Sequence, residues 1–349
     1  MIKRKRVWSS WLLYIAASIV VSCSSLLKHD GSENILQNEE FEKAYVVKEF
    51  SPAKSTSSAE SLTTAAIEPA VKSKKLNRKA TKLKGPIQAV ALVTEVKTHE
   101  PASEDDEGFS GRRPLVDPYR VGEKVTLEAS YFGVVAGDMT LEVGPFVEVN
   151  KRKSYRFVGT AISSPVFAMF YSIDDWFETF LDFETLTPFS YALHVKETKQ
   201  LRETRSIFNW DTGQASFWDK KINTKGEVEE KKAQWELPAF SQNVFSIAYY
   251  LRAFTLKPGK KLAIRLAHEK DNMIVTAEVL RREKILLPAG EFNTVVIKPK
   301  IELNGVFKPV GDIFIWLTDD DRKLIVKIES KIKIGKIMAI AKSIELGKK

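Results

Sequence analysis

The residue whose type and position imply the most definite chemistry is Cys23, the one cysteine in the chain. A single thiol excludes an intramolecular disulfide and any cysteine-based metal site. Cys23 follows Val20, Val21 and Ser22 at the end of an apolar run from Trp11 to Val21, and Lys3, Arg4, Lys5 and Arg6 precede that run. The run is shorter than the roughly 20 residues that span a bilayer, and basic, then apolar, then small residues is the layout of a secretory signal. Branched apolar residues and a small one before an obligatory cysteine match the bacterial lipobox, in which the thiol becomes a thioether to diacylglycerol before cleavage. Residues 1–22 therefore read as a lipoprotein signal peptide and Cys23 as a lipidation site. Several acyl chains on one cysteine anchor a protein stably. Ser24, where Asp would mark inner-membrane retention in enterobacteria, favours an outer-membrane, periplasm-facing location over the inner membrane or the cell surface.

The other chemistry-bearing residues form no such pattern. His29 and His99 lie outside any periodic stretch, and His194 and His268 fall on expected strands with no His or carboxylate at metal-ligand spacing, so each reads as an ordinary sheet residue and no metal is expected. There is no G-x-S-x-G elbow, P-loop or G-x-G-x-x-G fingerprint. Asp319, Asp320 and Asp321 would suit calcium by type, but consecutive acids after a strand read as a solvated turn. Asp174–Asp175 and Asp182–Glu184 offer carboxylates of the kind glycosidases use, without a spacing that selects them. Neither an enzyme nor a cofactor is expected. The net charge of +9 includes the four basic residues of the signal, whose loss leaves +5, and the remaining lysines and arginines alternate with acids. Nucleic acid is therefore not an expected partner.

These residues depend on elements of two textures. From Cys23 to Arg113 the chain is rich in Ser, Thr, Ala, Lys and Glu, a composition that cannot bury enough apolar surface to offset ordering entropy. It reads as a largely disordered lipidated tether, with some apolar residues over 41–50 and 87–96. A basic run from Lys72 to Lys84 reads as solvated linker, with anionic headgroups or cell-wall polymer as the alternative.

From residue 114 to 349 apolar and polar residues alternate. Val125, Leu127, Ala129 and Tyr131, then Met139, Leu141 and Val143, flank the Gly133–Gly137 turn and predict a β-hairpin. Further strands are predicted at 155–161, 176–183, 190–198, 202–209, 214–220, 262–268, 274–281, 292–303, 312–318, 324–333 and 337–346. Two stretches have helical spacing instead: Pro165–Tyr171, and Ser241–Phe254 with Ser241 as N-cap. The expected fold is mainly β: a curved, largely antiparallel sheet or barrel with two short helices on one face.

Dispersed features of this region resemble a bacterial exported-domain family of unknown function, number 3108. They include Gly122–Glu123–Lys124–Val125, Tyr131–Phe132–Gly133, Asp174–Asp175, Tyr249–Tyr250–Leu251–Arg252, Arg282–Glu283, Pro288–Ala289–Gly290–Glu291–Phe292 and Ile315–Trp316–Leu317–Thr318–Asp319–Asp320. The resemblance implies a periplasmic β-rich domain similar to the Lol-type lipoprotein carriers, and it brings no catalytic residues with it.

The remaining signal is aromatic. Phe167, Phe170, Tyr171 and Trp176 lie close together, and Tyr249 and Tyr250 add to them. Core packing between helix and sheet is the simpler reading; an apolar groove inside a curled sheet is the functional one. The expected function is a non-enzymatic, membrane-anchored binding or scaffold module for lipid, glycan or an envelope protein. A cell-envelope hydrolase and a structural assembly subunit are the alternatives.

Overall fold

Alternating sequence becomes alternating burial over residues 123–127, 155–160, 261–266 and 273–279. The computed structural model describes residues 41, 47–50, 109–303, 306–308, 312–331 and 335–348. Cys23, the signal, the basic run and the rest of the expected tether lie outside these residues.

The strands are β1 (Val47–Glu49), β2 (Phe109–Ser110), β3 (Arg113–Pro114), β4 (Glu123–Tyr131), β5 (Val134–Val143), β6 (Val147–Val149) and β7 (Arg152–Ser163). After helix α1 (Pro165–Ala168) come β8 (Asp174–Asp182), β9 (Pro188–Glu197), β10 (Gln200–Asn209), β11 (Gln214–Asn223) and β12 (Val228–Glu236). Helix α2 (Ser246–Tyr250) runs into a 3-10 turn, Leu251–Ala253. The chain finishes with β13 (Lys261–His268), β14 (Asp271–Leu287), β15 (Gly290–Leu303), β16 (Val306–Lys308), β17 (Ile313–Thr318), β18 (Ile325–Lys331) and β19 (Lys336–Leu346).

All ladders in the main sheet are antiparallel. β19 pairs with β4, so the end of the chain returns to the start of the domain. The sheet then runs through β5, β7, β8, β9, β10 and β11 to β12 on one side. On the other side it runs through β18, β17, β15 and β14 to β13. Bulges at Ala129/Ser130, Phe180/Leu181, Val279/Arg281, Trp316/Leu317 and Ala341/Ser343 bend the strands and let the sheet curl. It does not close. β12 and β13 share no ladder; a single parallel bridge from Gln242 to Leu266 lies along β13. Side-chain bonds from Trp235 to Asn272 and from Asn272 to the Glu236 carbonyl span the seam.

The inside of the curl is the core. Tyr155, Phe157, Tyr249, Tyr250, Leu251 and Phe254 are buried there with Leu262, Ile264 and Val295. Tyr249 stacks on Phe157 with ring centroids 3.9 Å apart, and the Tyr119 hydroxyl donates to its carbonyl at 2.9 Å. A buried ion cluster ties this end together. Arg252 makes a two-toothed contact with Glu123 (2.7 and 2.9 Å), and Arg322 reaches the same carboxylate at 2.5 Å.

Two expectations are corrected. The helix predicted over 241–254 forms only at 246–250, because Gln242 bonds to β13 through both its N–H and its C=O. The Asn243 Oδ1, not Ser241, receives the free N–H groups of Phe245 and Ser246 (2.9 and 2.8 Å), while the Ser241 hydroxyl donates to Pro238. The helix at 165–171 is one turn, with the Ser164 Oγ accepting from the Phe167 N–H. Within the stretch read as a tether, the apolar piece over 41–50 contributes described residues that meet the sheet. β1 adds to the edge of β6 in the register Val47↔Val149, and Phe41 is buried with its ring 6.5 Å from Trp218.

Candidate functional site

One end of the curl is not filled. The β4–β5 turn, the α1 segment between β7 and β8, the β9–β10 turn and the tip of β18–β19 gather there through the pairings Tyr131↔Val134, Gly137↔Ser163, Ile173↔Glu197 and Ile337↔Tyr131. Between them lies a cavity of about 140 Å³. Met139, Ala161, Phe177, Val195, Ile313, Ile328, Ile337 and Ala339 give it apolar walls, with Phe167 at the α1 side. A glycine makes room. A Cβ on Gly159 would lie 2.1 Å from the Phe177 ring, so glycine lets that aromatic fold across the neighbouring strand. Phe177 in turn stacks on Phe245 at 4.1 Å.

The rim is apolar and exposed. Among the described residues, thirteen large apolar side chains are exposed, and seven of them sit here: Phe132, Val134, Val135, Ile162, Val166, Met169 and Phe170. The Ser164 N–H and hydroxyl bond to the Ala136 and Val135 carbonyls and hold the two loops side by side. Seven of thirteen at one edge is a patch rather than scatter, and such patches mark interaction surfaces.

The structure divides the aromatic residues singled out in the sequence. Phe167 and Trp176 border the cavity, and Phe170, 78% exposed, stands on its rim. Tyr171 is buried beside the cavity and donates to Glu197 Oε2 at 2.8 Å. Tyr249 and Tyr250 are corrected: they belong to the core at the far side of α2, where a short helix inside the curl turns both rings toward buried neighbours.

Three acids line the same cavity: Asp138 on β5, which pairs with Lys342 at 2.6 Å, Asp175 on β8 and Glu197 on β9. The last two form a pair of their own. The register Trp176↔His194 with Ile173↔Glu197 makes them diagonal neighbours on one face, about 7–8 Å apart. Burial first, and then the Glu197 charge, push Asp175 up to about 7, against the Lys196 N–H that donates to it at 3.0 Å. A single strand sequence does not reveal this pair, because it exists only once the β8–β9 register is known; the sequence singled out Asp175 beside Asp174, and Asp182–Glu184, but not Glu197. Asp182 is buried in an ion pair with Arg152 at 2.7 Å, and its Oδ1 caps the turn at Glu184 and Thr185.

The remaining sequence candidates have structural roles. Asp320 Oδ1 accepts from Thr318, Arg322 and Lys323, and Asp319 pairs with Arg282, which makes this acidic run a braced turn. His194 bonds to Glu203 and stacks on Trp176. Burial, reinforced by Arg202, pushes His268 down to about 4. Among the described residues, no three His, Cys, Asp or Glu side chains group to hold a metal, and no helix is long and apolar enough to cross a membrane.

Asp175 gives a stability signature. The folded state holds a proton on it from about pH 4 to 7 that the unfolded chain has released, so this group's contribution falls as pH rises through that window. Asp175→Asn is expected to flatten the pH dependence of the urea midpoint between pH 5 and 8 and to exceed the parent at pH 8. An unchanged slope would count against a buried, uncompensated carboxyl.

A family model described as a protein of unknown function, DUF3108, matches residues 126–342. No curated protein matches the chain. The solved structures similar to it include a beta-barrel-like protein of domain of unknown function DUF1849 from Brucella abortus. That chain is 10% identical, with a TM-score of 0.42 over 66% of this chain and 99% of its own. A protein from Bacteroides fragilis, described as exported with a YmcC-like fold, is 11% identical with a TM-score of 0.25, over 66% of this chain and 98% of its own. One from Parabacteroides distasonis, described as a lipoprotein, is 8% identical with a TM-score of 0.26, over 66% of this chain and 99% of its own.

Proposed function

Because the chain belongs to the DUF3108 family, described only as of unknown function, we propose its role from the site itself: a membrane-anchored envelope lipoprotein whose β domain binds an apolar segment of an envelope component without transforming it. The observation that carries this reading is the coincidence of an apolar cavity with an exposed apolar rim at one end of the curl. Lipid on Cys23 supplies the anchor, with the outer membrane's periplasmic face as the location. The cavity is close in size to the roughly 150 Å³ apolar cavities that stay dry and take up benzene. It therefore suits a ring or a short stretch of hydrocarbon, with the remainder lying over Phe132, Val166 and Phe170.

Octanol is the simplest probe. Six methylenes at about 0.8 kcal/mol each contribute about 5 kcal/mol, which corresponds to a Kd of order 0.2–1 mM. Calorimetric titration should show such binding, and Ala161→Phe, which puts a ring into the cavity wall, should weaken it at least tenfold. Failure of octanol to bind the parent protein would overturn the carrier reading.

A second reading rests on a specific observation. Asp175 and Glu197 are spaced as an acid–base pair can be, and one of them is tuned toward neutral pH. The cavity walls argue against it, because a glycan or peptide substrate needs polar partners that Ile313, Ile328 and Ala339 do not provide.

A further inference from the structure

The most deeply buried acids of this protein share a kind of partner that two half-buried acids of the cavity lack. Glu123, Asp182, Glu203 and Asp219 are the acids buried below one-tenth exposure, and each has an arginine partner: Arg252 and Arg322, Arg152, Arg205, and Arg202 respectively. Asp175 and Glu197, half-buried and facing apolar walls, have none among the described residues. Asp175 receives one hydrogen bond, from the Lys196 N–H. Glu197 receives two, from Tyr171 and from Gln200 Nε2 at 2.6 Å, both on Oε2. Asp175 Oδ2 and Glu197 Oε1 are thus left without a protein donor among the described residues.

A third polar group in the same wall is also unfilled. Ser330 is 6% exposed, shares its strand face with Ile328 toward the cavity, and its Oγ has no hydrogen-bond partner. A buried hydroxyl is rarely left so. The raised Asp175 carboxyl is what an acid does in a low-dielectric wall beside a second acid and without a cation.

We propose that the cavity binds the primary ammonium group of an alkylamine-type amphiphile, with Asp175 and Glu197 pairing to the charge and the hydrocarbon seated against Ile313, Ile328 and Ala339. This rests on the apolar-binding reading above and adds the chemistry of the ligand's head. An ammonium brings three donors and no acceptor, which matches a wall holding open acceptors on Asp175, Glu197 and Ser330. Carboxylate and phosphate heads meet like charge there. No covalent step is involved.

The test compares three probes of one chain length, octylamine, octanol and octanoate, by calorimetric titration at pH 8 with the whole protein. The amine is expected to bind at least tenfold more tightly than the alcohol, and octanoate most weakly. The Asp175→Asn/Glu197→Gln double variant should bring the amine down to the level of the alcohol while leaving octanol affinity within about twofold of the parent; that retained octanol affinity also verifies the fold. Octanol and octylamine binding equally in the parent, or an amine preference that survives the double variant, would overturn the proposal and leave the apolar-binding reading standing. If none of the three binds, that reading itself fails. A lysolipid with an ethanolamine head distinguishes the sources: binding of it alongside octylamine assigns the ammonium to a lipid, and binding of octylamine alone assigns it to a free amine.

Discussion

Glu123→Ala is expected to destabilise the domain by about 3–5 kcal/mol, read from the shift of the urea midpoint. Arg252 is 3% exposed and takes both its tight carboxylate contacts from Glu123. Burial works against its charge, yet Glu123 holds its pKa above the ordinary arginine value. Removing the carboxylate leaves that guanidinium uncompensated in the core. The loss also spreads: Arg252 bonds the Pro118 and Arg322 carbonyls, and Arg322 bonds Glu123 and the Leu346 carbonyl. One carboxylate therefore joins the segment before β4, the turn after α2, the β17–β18 loop and the end of β19. Lys284→Ala removes an ion pair whose side chains are 61% and 56% exposed, and it should shift the midpoint by less than about 1 kcal/mol. Equal effects from the two substitutions would show that Glu123 is not a keystone.

Gly137→Ala is expected to be the most disruptive single methyl in the domain, costing about 2–3 kcal/mol or more and abolishing octanol binding. An added Cβ would lie 2.1 Å from the Ile162 carbonyl oxygen and 2.7 Å from the Ser163 Cα. Both are backbone atoms of the partner strand, so the β5–β7 ladder has to separate where it forms the cavity mouth. Gly133, four residues away, provides the comparison: its φ is +77° and nothing lies within 4 Å of an added Cβ. Gly133→Ala carries only the conformational cost of a left-handed residue, about 1–2 kcal/mol, and should leave binding intact. Thermal melts and calorimetric titration of both variants check the pair.

Several strands were legible because their burial alternates. β13, with buried residues at Leu262, Ile264 and Leu266, is the plain case. β12 was missed for the converse reason: Val228–Glu236 is exposed on both faces, so no period-2 apolar signal marks it. Its pairing with β11 and its charged residues, which guard an edge against other chains, are visible only in three dimensions. The α2 stretch had helical spacing over fourteen residues, but Gln242 and Asn243 are committed to β13 and to the turn, and tertiary bonds overrode local preference.

The features that carry the family resemblance turn out to meet one another. Glu123 pairs with Arg252, Arg282 with Asp319 at 2.6 Å, and the Trp316 indole donates to Glu283. They brace the fold. The site joins one of those features, Asp175, to Glu197 and Ser330, which no sequence pattern marks, on β8, β9 and β18. Only the sheet's register places them in one wall.

The unlaced seam between β12 and β13 has a mechanical consequence. In a closed barrel the bore is fixed by strand number and shear, so widening it means breaking a whole ladder. Here the ties across the gap include the Gln242 bridge, the bond from Arg265 to the Ala239 carbonyl and the Trp235–Asn272–Glu236 contacts, with no ladder among them. The wall is a clasp, and its girth can change at the cost of a few hydrogen bonds while every other ladder stays intact.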